Sequence, residues 1–175
     1  IWSRSNAGME LSLSNNDRAS SRWEANWENG LFADMHPFTS KRVLQRIREI
    51  GEAAYNREKL AQAAGWISRH PGRFAVLTVQ RGALFWFPEM KRPVQTLSLA
   101  LVTIAGKNGF ALFVRARTPA AWYFTVVWVA CSAPTYIFQM SARMRYPIEW
   151  TIFLFGAYFL YRMAGLIETA RISGR

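Results

Sequence analysis

Twenty-five consecutive residues, Thr118 to Ala142, carry no charge, and Arg117 and Arg143 close the run at its two ends. An α-helix needs about 20 apolar residues to cross the roughly 30 Å hydrocarbon core of a bilayer. Only helices and closed barrels satisfy their own backbone polar groups there. The run therefore predicts a tilted membrane helix over about 119–140, with Trp122, Tyr123 and Trp128 inside it and Pro134 expected to kink it.

Two neighbouring segments read the same way. Residues 93–114 are apolar except for Lys107 and Asn108, beside Gly106, so the helix is expected to loosen there and Lys107 to snorkel or face protein. Residues 148–167 form a further run, with Glu149 near one end and Arg162 near the other. The fold class expected is an all-α membrane protein, with about three transmembrane helices (93–114, 119–140 and 148–167) in a region covering 93–175.

The mean hydropathy of −0.03 conceals this division. Residues 1–92 hold 14 Lys/Arg against 9 Asp/Glu, whereas residues 93–175 hold 8 against 2, placed at the edges of apolar runs. A formal charge of +11 raises the question of nucleic acid. No nucleic-acid motif accompanies the charge, and arginines flanking apolar runs are how membrane topology is marked. Membrane lipid is the expected partner, with anionic head groups meeting the basic surface, and nucleic acid is not.

Residues 1–38 read as an irregular segment. Met9, Leu11 and Leu13 alternate with polar residues and predict a short strand, ended by a turn at Asn15-Asn16-Asp17. Trp23 and Trp27, flanked by Glu24 and Glu28, fit three roles: loop anchors, a sugar platform or a membrane-surface contact. Residues 39–92 read as amphipathic helices followed by an interfacial helix. Thr39-Ser40 after Pro37 offers an N-cap, and Val43, Leu44, Ile47, Ile50 and Ala54 recur at helical spacing. One helix or a helix pair is expected over about 40–69, with Gly51 and Gly65 as its weak points. His70-Pro71-Gly72 breaks it. The apolar stretch from Phe74 to Phe87 is too short to span a bilayer and suits the head-group zone.

Cys131 is the sole cysteine, which excludes an internal disulfide, and it reads as a packing residue. His36 and His70 each precede a proline, with no ligand cluster around them, so no metal site is expected. The chain opens at Ile1 without an initiator Met or a signal pattern. It is accordingly expected to continue upstream, with further transmembrane helices as packing partners.

The turn Ser141-Ala142-Arg143-Met144-Arg145-Tyr146-Pro147 joins two closely spaced apolar runs. Two arginines at head-group level suit bidentate contact with a phosphate or pyrophosphate. Ordinary lipid anchoring, with Arg145 or Arg143 paired to Glu149, accounts for the same residues. Counting basic residues on either side leaves the orientation undecided, because a long flanking region carries little weight in that count.

Several strings resemble a known family in the order in which they occur. These are Arg4-Ser5-Asn6-Ala7-Gly8-Met9-Glu10-Leu11 with Asn15-Asn16, Gly51-Glu52-Ala53-Ala54-Tyr55, Ala64-Gly65-Trp66-Ile67-Ser68-Arg69-His70-Pro71-Gly72-Arg73-Phe74, Phe85-Trp86-Phe87, and the Ser141–Pro147 turn. Together they resemble the carboxy-terminal part of bacterial polytopic glycosyltransferases of the GT-C, protein-mannosyltransferase-like type. The resemblance implies a multi-pass enzyme of the bacterial inner membrane, using a polyprenyl-phosphate-linked sugar on the extracytoplasmic side. It implies that residues 1–92 and the turn are extracytoplasmic, and that the catalytic carboxylates lie upstream of this chain. Arg143, Arg145 and Tyr146 would then hold the carrier phosphate, and Arg4, Asn15 and Asn16 would line the same cleft. No catalytic residue is assigned here and no cofactor is expected within this stretch; a divalent metal in the whole enzyme stays open. The alternative is a non-enzymatic, membrane-anchored adapter whose basic helices over 40–69 bind a partner protein.

Overall fold

The computed structural model describes residues 6–173, with side chains to 169, and every regular element among the described residues is helical. Contacts divide the chain into two units, Ile1–Gly82 with Pro134–Ser141, and Ala83–Ala133 with Ala142–Arg175.

In the first unit, α1 (Ala7–Ser14) takes the place of the short strand expected around Met9, Leu11 and Leu13. The alternation misleads because small residues share the buried face. Gly8, Met9, Ser12 and Leu13 are all buried, at helical spacing, and the two non-apolar members hide the 3.6-residue period. A Cβ on Gly8 would overlap the Asn56 carbonyl oxygen, so the absent side chain allows the helix to seat directly on its neighbour. Asn56 also receives the amides of Gly8 and Met9 on its Oδ1, at 2.9 and 3.1 Å. It satisfies two N-terminal N–H groups that no local side chain caps.

The segment expected to be irregular continues with two short helices, α2 (Trp23–Glu28) and α3 (Leu31–Met35). They are followed by α4 (Lys41–Ile50) and α5 (Glu52–Arg69). Ser40 caps α4 by accepting from the Val43 amide. Gly51, at φ +82, separates α4 from α5 in a conformation that L side chains rarely adopt. The 40–69 region is therefore a helix pair, while Gly65 lies within α5 with open space around it.

Met9, Leu13, Leu31, Phe32, Val43 and Tyr55 form the core of this unit. A fully buried leucine such as Leu13 or Leu31 contributes about 1.5–3 kcal/mol. A second cluster joins Ala19, Trp66 and Leu77, and the Trp66 indole N–H donates to Asp17 Oδ1 at 2.7 Å. After the break at His70, α6 (Pro71–Trp86) begins on its proline.

The remaining helices are α7 (Pro93–Arg115), α8 (Pro119–Ile137) and α9 (Tyr146–Ser173), with a 3-10 turn at Ala142–Arg145 leading into α9. Among the described residues, two segments are long and apolar enough to cross a membrane, Pro93–Arg115 and Ala142–Thr169. Only 17% and 22% of their most apolar windows are buried, unlike the core helix of a soluble protein. Val94, Leu97, Leu101 and Ile104 make an exposed stripe along α7.

The run expected to span over 119–140 differs at its end. Its helix stops at Ile137, and Met140 instead pairs in a parallel bridge with Arg22, inside the first unit. Two prolines and several Trp, Tyr, Ser and Thr residues dilute its apolar character, and α8 is not one of the two long apolar segments.

Within the second unit, α7 and α9 pack closely through glycines. A Cβ on Gly106 would lie 2.6 Å from the Ile152 carbonyl oxygen, and one on Gly109 would overlap that of Phe155. Gly106 thus serves backbone approach inside a continuous helix, rather than the loosening expected of it. Phe110 stacks on Trp128 at 4.4 Å, and the Trp128 N–H donates to Thr151 Oγ1 at 2.9 Å.

Candidate functional site

The turn that closes onto α9 gives its two arginines opposite roles. Arg143 and Tyr146 are exposed, Tyr146 at 65%, whereas Arg145 is 1% exposed. In the 3-10 turn, side chains two positions apart leave on different faces, which allows Arg145 to turn inward while Arg143 stays exposed.

Arg145 meets three chain partners. Its Nε lies 2.7 Å from Glu149 Oε2, one helical turn along α9. One terminal nitrogen donates to the Trp86 carbonyl at 2.7 Å, and the other to Thr103 Oγ1 at 2.8 Å. Trp86 is the last residue of α6, so the guanidinium closes a helix C-terminus, where a cation is favoured. Thr103 in turn donates its hydroxyl hydrogen bond to the Leu99 carbonyl at 2.6 Å. Of the three residues expected at a phosphate, Arg143 and Tyr146 are open to a ligand, and Arg145 braces the turn that carries them. Lys107 faces protein: its ammonium lies 4.1 Å from the centroid of a Trp86 ring and 5.5 Å from that of Phe87, in cation–π contact.

The residues expected to line a cleft fall in the first unit. Arg4 lies outside the described residues. Asn15 is 1% exposed and Asn16 half-buried, and both close the C-terminus of α1: Asn15 donates to Leu11 O, Asn16 to Ser12 O and Leu13 O. Asn15 also donates to the Ile137 carbonyl at 3.1 Å and receives Arg81 on its Oδ1 at 3.2 Å.

In the sequence Arg81 stands only as a charge within the apolar stretch from Phe74 to Phe87, with no role assigned to it. It is fully buried and donates to Asn15, to the Ile137 carbonyl at 2.8 Å and to the Ser14 carbonyl. Ser14 ends α1 and Ile137 ends α8, so the guanidinium rests on two helix C-termini rather than on a carboxylate. Burial, with Arg73 nearby, pushes its pKa down to about 10, so it remains charged at neutral pH. The signal was present: Leu77, Arg81 and Phe85 follow at four-residue intervals on α6, and all three are fully buried.

Beside Arg81, Ser14 Oγ accepts from the Gln139 amide at 2.9 Å, and Gln139 Oε1 accepts from Asn26 at 2.8 Å. Glu10 hydrogen-bonds to Gln139, and burial holds its carboxyl above the ordinary range.

No group of three or more His, Cys, Asp or Glu able to hold a metal occurs among the described residues. His36 packs between Phe32 and Phe38, and burial lowers its pKa. His70 stacks on Trp66, and Cys131 is a free, half-buried thiol. Glu24 and Glu28 are exposed on α2. Set against protein-family models, curated proteins and solved structures, the chain matches none of them.

Proposed function

We propose that the chain is the carboxy-terminal, membrane-embedded part of a bacterial polytopic glycosyltransferase that takes its sugar from a polyprenyl-phosphate carrier. In this reading α7, α8 and α9 cross the inner membrane, residues 1–92 are extracytoplasmic, and the catalytic carboxylates lie upstream. α8 supports a third crossing because its 19 residues are uncharged and reach about 29 Å, close to the hydrocarbon thickness. Arg143 and Tyr146 meet the carrier phosphate, and Arg145 is a positioning residue.

The observation that carries the reading is the construction of the Arg143–Tyr146 turn. An exposed guanidinium and phenol stand at the start of an apolar helix, on a support fixed by buried Arg145 and its ion pair with half-buried Glu149. Plain lipid anchoring has no need of so determined a geometry. The resemblance of five strings in order along the chain supplies the reaction class.

The test uses the chain reconstituted in nanodiscs with a photoreactive polyprenyl phosphate. Labelling should concentrate near residues 143–146, be competed by unlabelled polyprenyl phosphate, and fall several-fold in Arg143→Ala with Tyr146→Phe. Labelling spread evenly along the exposed faces of α7 and α9, insensitive to competitor, would return the turn to lipid anchoring. Sugar transfer by the chain alone would overturn the upstream placement of the carboxylates.

A further inference from the structure

The first unit contains a groove between α4 and α5, of about 370 Å³, lined by Arg42, Arg46, Glu49, Tyr55, Glu58 and Lys59 among others. That size lies at the lower end of small-ligand pockets. Its charges are unevenly matched. Arg46 takes both carboxylates, Glu58 at 3.4 Å and Glu49 at 3.9 Å. Each carboxylate is also engaged by a glutamine, Gln62 on Glu58 and Gln45 on Glu49. Lys59 is left with a neutral acceptor, Gln62 Oε1 at 2.9 Å, and with the Tyr55 ring, whose centroid is 5.3 Å from its ammonium. Arg42 makes no hydrogen bond or ion pair among the described residues. Tyr55 is 4% exposed, and its hydroxyl is buried without a hydrogen-bond partner.

We infer that the α4–α5 groove is a binding site for a phosphate or diphosphate group, gripped by Arg42 and Lys59 with Arg46 at its side. Among the described residues, neither Arg42 nor Lys59 has a carboxylate within ion-pair distance, Glu49 and Glu58 being held by Arg46. Both cations are stabilised when an anion joins them. Guanidinium supplies planar, paired donors for phosphoryl oxygens, and the ammonium a compact point charge. Burial lowers the Lys59 pKa, Glu58 offsets part of that, and Arg42 lowers it further, so a bound anion would favour the charged ammonium. The chemistry is the same for a soluble diphosphate and for an anionic lipid head group. The site is independent of the glycosyltransferase reading, whose phosphate contact is the Arg143 turn.

The test titrates the chain in phosphatidylcholine nanodiscs with inorganic pyrophosphate, by calorimetry. Saturable binding is expected, weakened tenfold or more by Arg42→Gln with Lys59→Met and unchanged by Arg57→Gln, which lies outside the groove lining. Glu58→Gln, which frees Arg46 from the closer of its two carboxylates and removes a negative charge from the groove, should tighten it, an outcome that misfolding does not imitate. No saturable binding, or equal binding in the Arg42/Lys59 variant, would overturn the inference. Repeating the titration in phosphatidylglycerol nanodiscs assigns the source. Competition there supports a lipid head group as the occupant, and unchanged affinity supports a soluble phosphate.

Discussion

Arg145 donates to the carbonyl of Trp86 at 2.7 Å and so closes the C-terminus of α6 from a position 59 residues further along the chain. Arg81 does the same for Ser14 and Ile137, the last residues of α1 and α8. Both buried cations are placed where helices end with unsatisfied carbonyls and partial negative charge.

The Arg145 assembly includes a carboxylate, and this decides how its variants behave. Removing one member of a buried pair leaves the other uncompensated, which costs about 3–5 kcal/mol. Arg145→Ala should destabilise the chain by that order, whereas the exposed Arg143→Ala should change stability by less than about 0.5 kcal/mol. Denaturant unfolding in mixed micelles measures both. Equal, small effects would show that Arg145 does not brace the turn.

Arg81 rests on carbonyls and an amide oxygen, so geometry matters more than charge alone. Lysine keeps the charge but loses the planar fork that reaches Ser14, Asn15 and Ile137 together. Arg81→Lys should therefore destabilise by about 1–3 kcal/mol through carbonyls left unpaired. It should also speed hydrogen exchange at the ends of α1 and α8. Exchange faster everywhere except those ends would contradict the capping role.

Sequence patterns reached some of these features and not others, for physical reasons. The cap at Ser40, the break at Gly51 and the start at Pro71 are local chemistry, and each stands where the residue types point. Glu149 as the partner of an arginine in the turn was legible from helical spacing, and the structure assigns it to Arg145. The helix at Ala7–Ser14 was not legible, because Gly8 and Ser12 share its buried face with Met9 and Leu13. Nor was the Asn15–Ile137 contact, which joins residues 122 positions apart. Resemblance singled out Asn15, but its engagement with Arg81 depends on the end of α8 arriving beside α1.

Close backbone approach leaves α7 no room for added bulk at Gly106 and Gly109. Gly109→Val would drive a branched side chain into the Phe155 carbonyl and separate α7 from α9. Loss of folded protein in detergent is the expected result. Gly165→Ala meets nothing within 4 Å and should be neutral or stabilising by up to about 1 kcal/mol. Equal tolerance of both substitutions, read by size exclusion and thermal unfolding, would contradict the packing described.

Glu10 provides a pH dependence whose sign is set by burial. Its carboxyl is held above the ordinary value of 4.5 mainly by desolvation, which the Gln139 hydrogen bond only partly offsets. Over the window between the unfolded and folded pKa values, the folded chain binds more protons than the unfolded one. Stability from this group is therefore fully present below that ordinary value and is lost as pH rises through the folded value. Gln139 Oε1 already accepts from Asn26, so its amide nitrogen is the donor to Glu10. A glutamine at position 10 still offers an acceptor there. Glu10→Gln should thus raise the unfolding temperature at pH 8, leave it nearly unchanged at pH 4, and flatten the profile between. An unaltered slope in the variant would mean that Glu10 titrates alike in both states and that its burial has no thermodynamic effect.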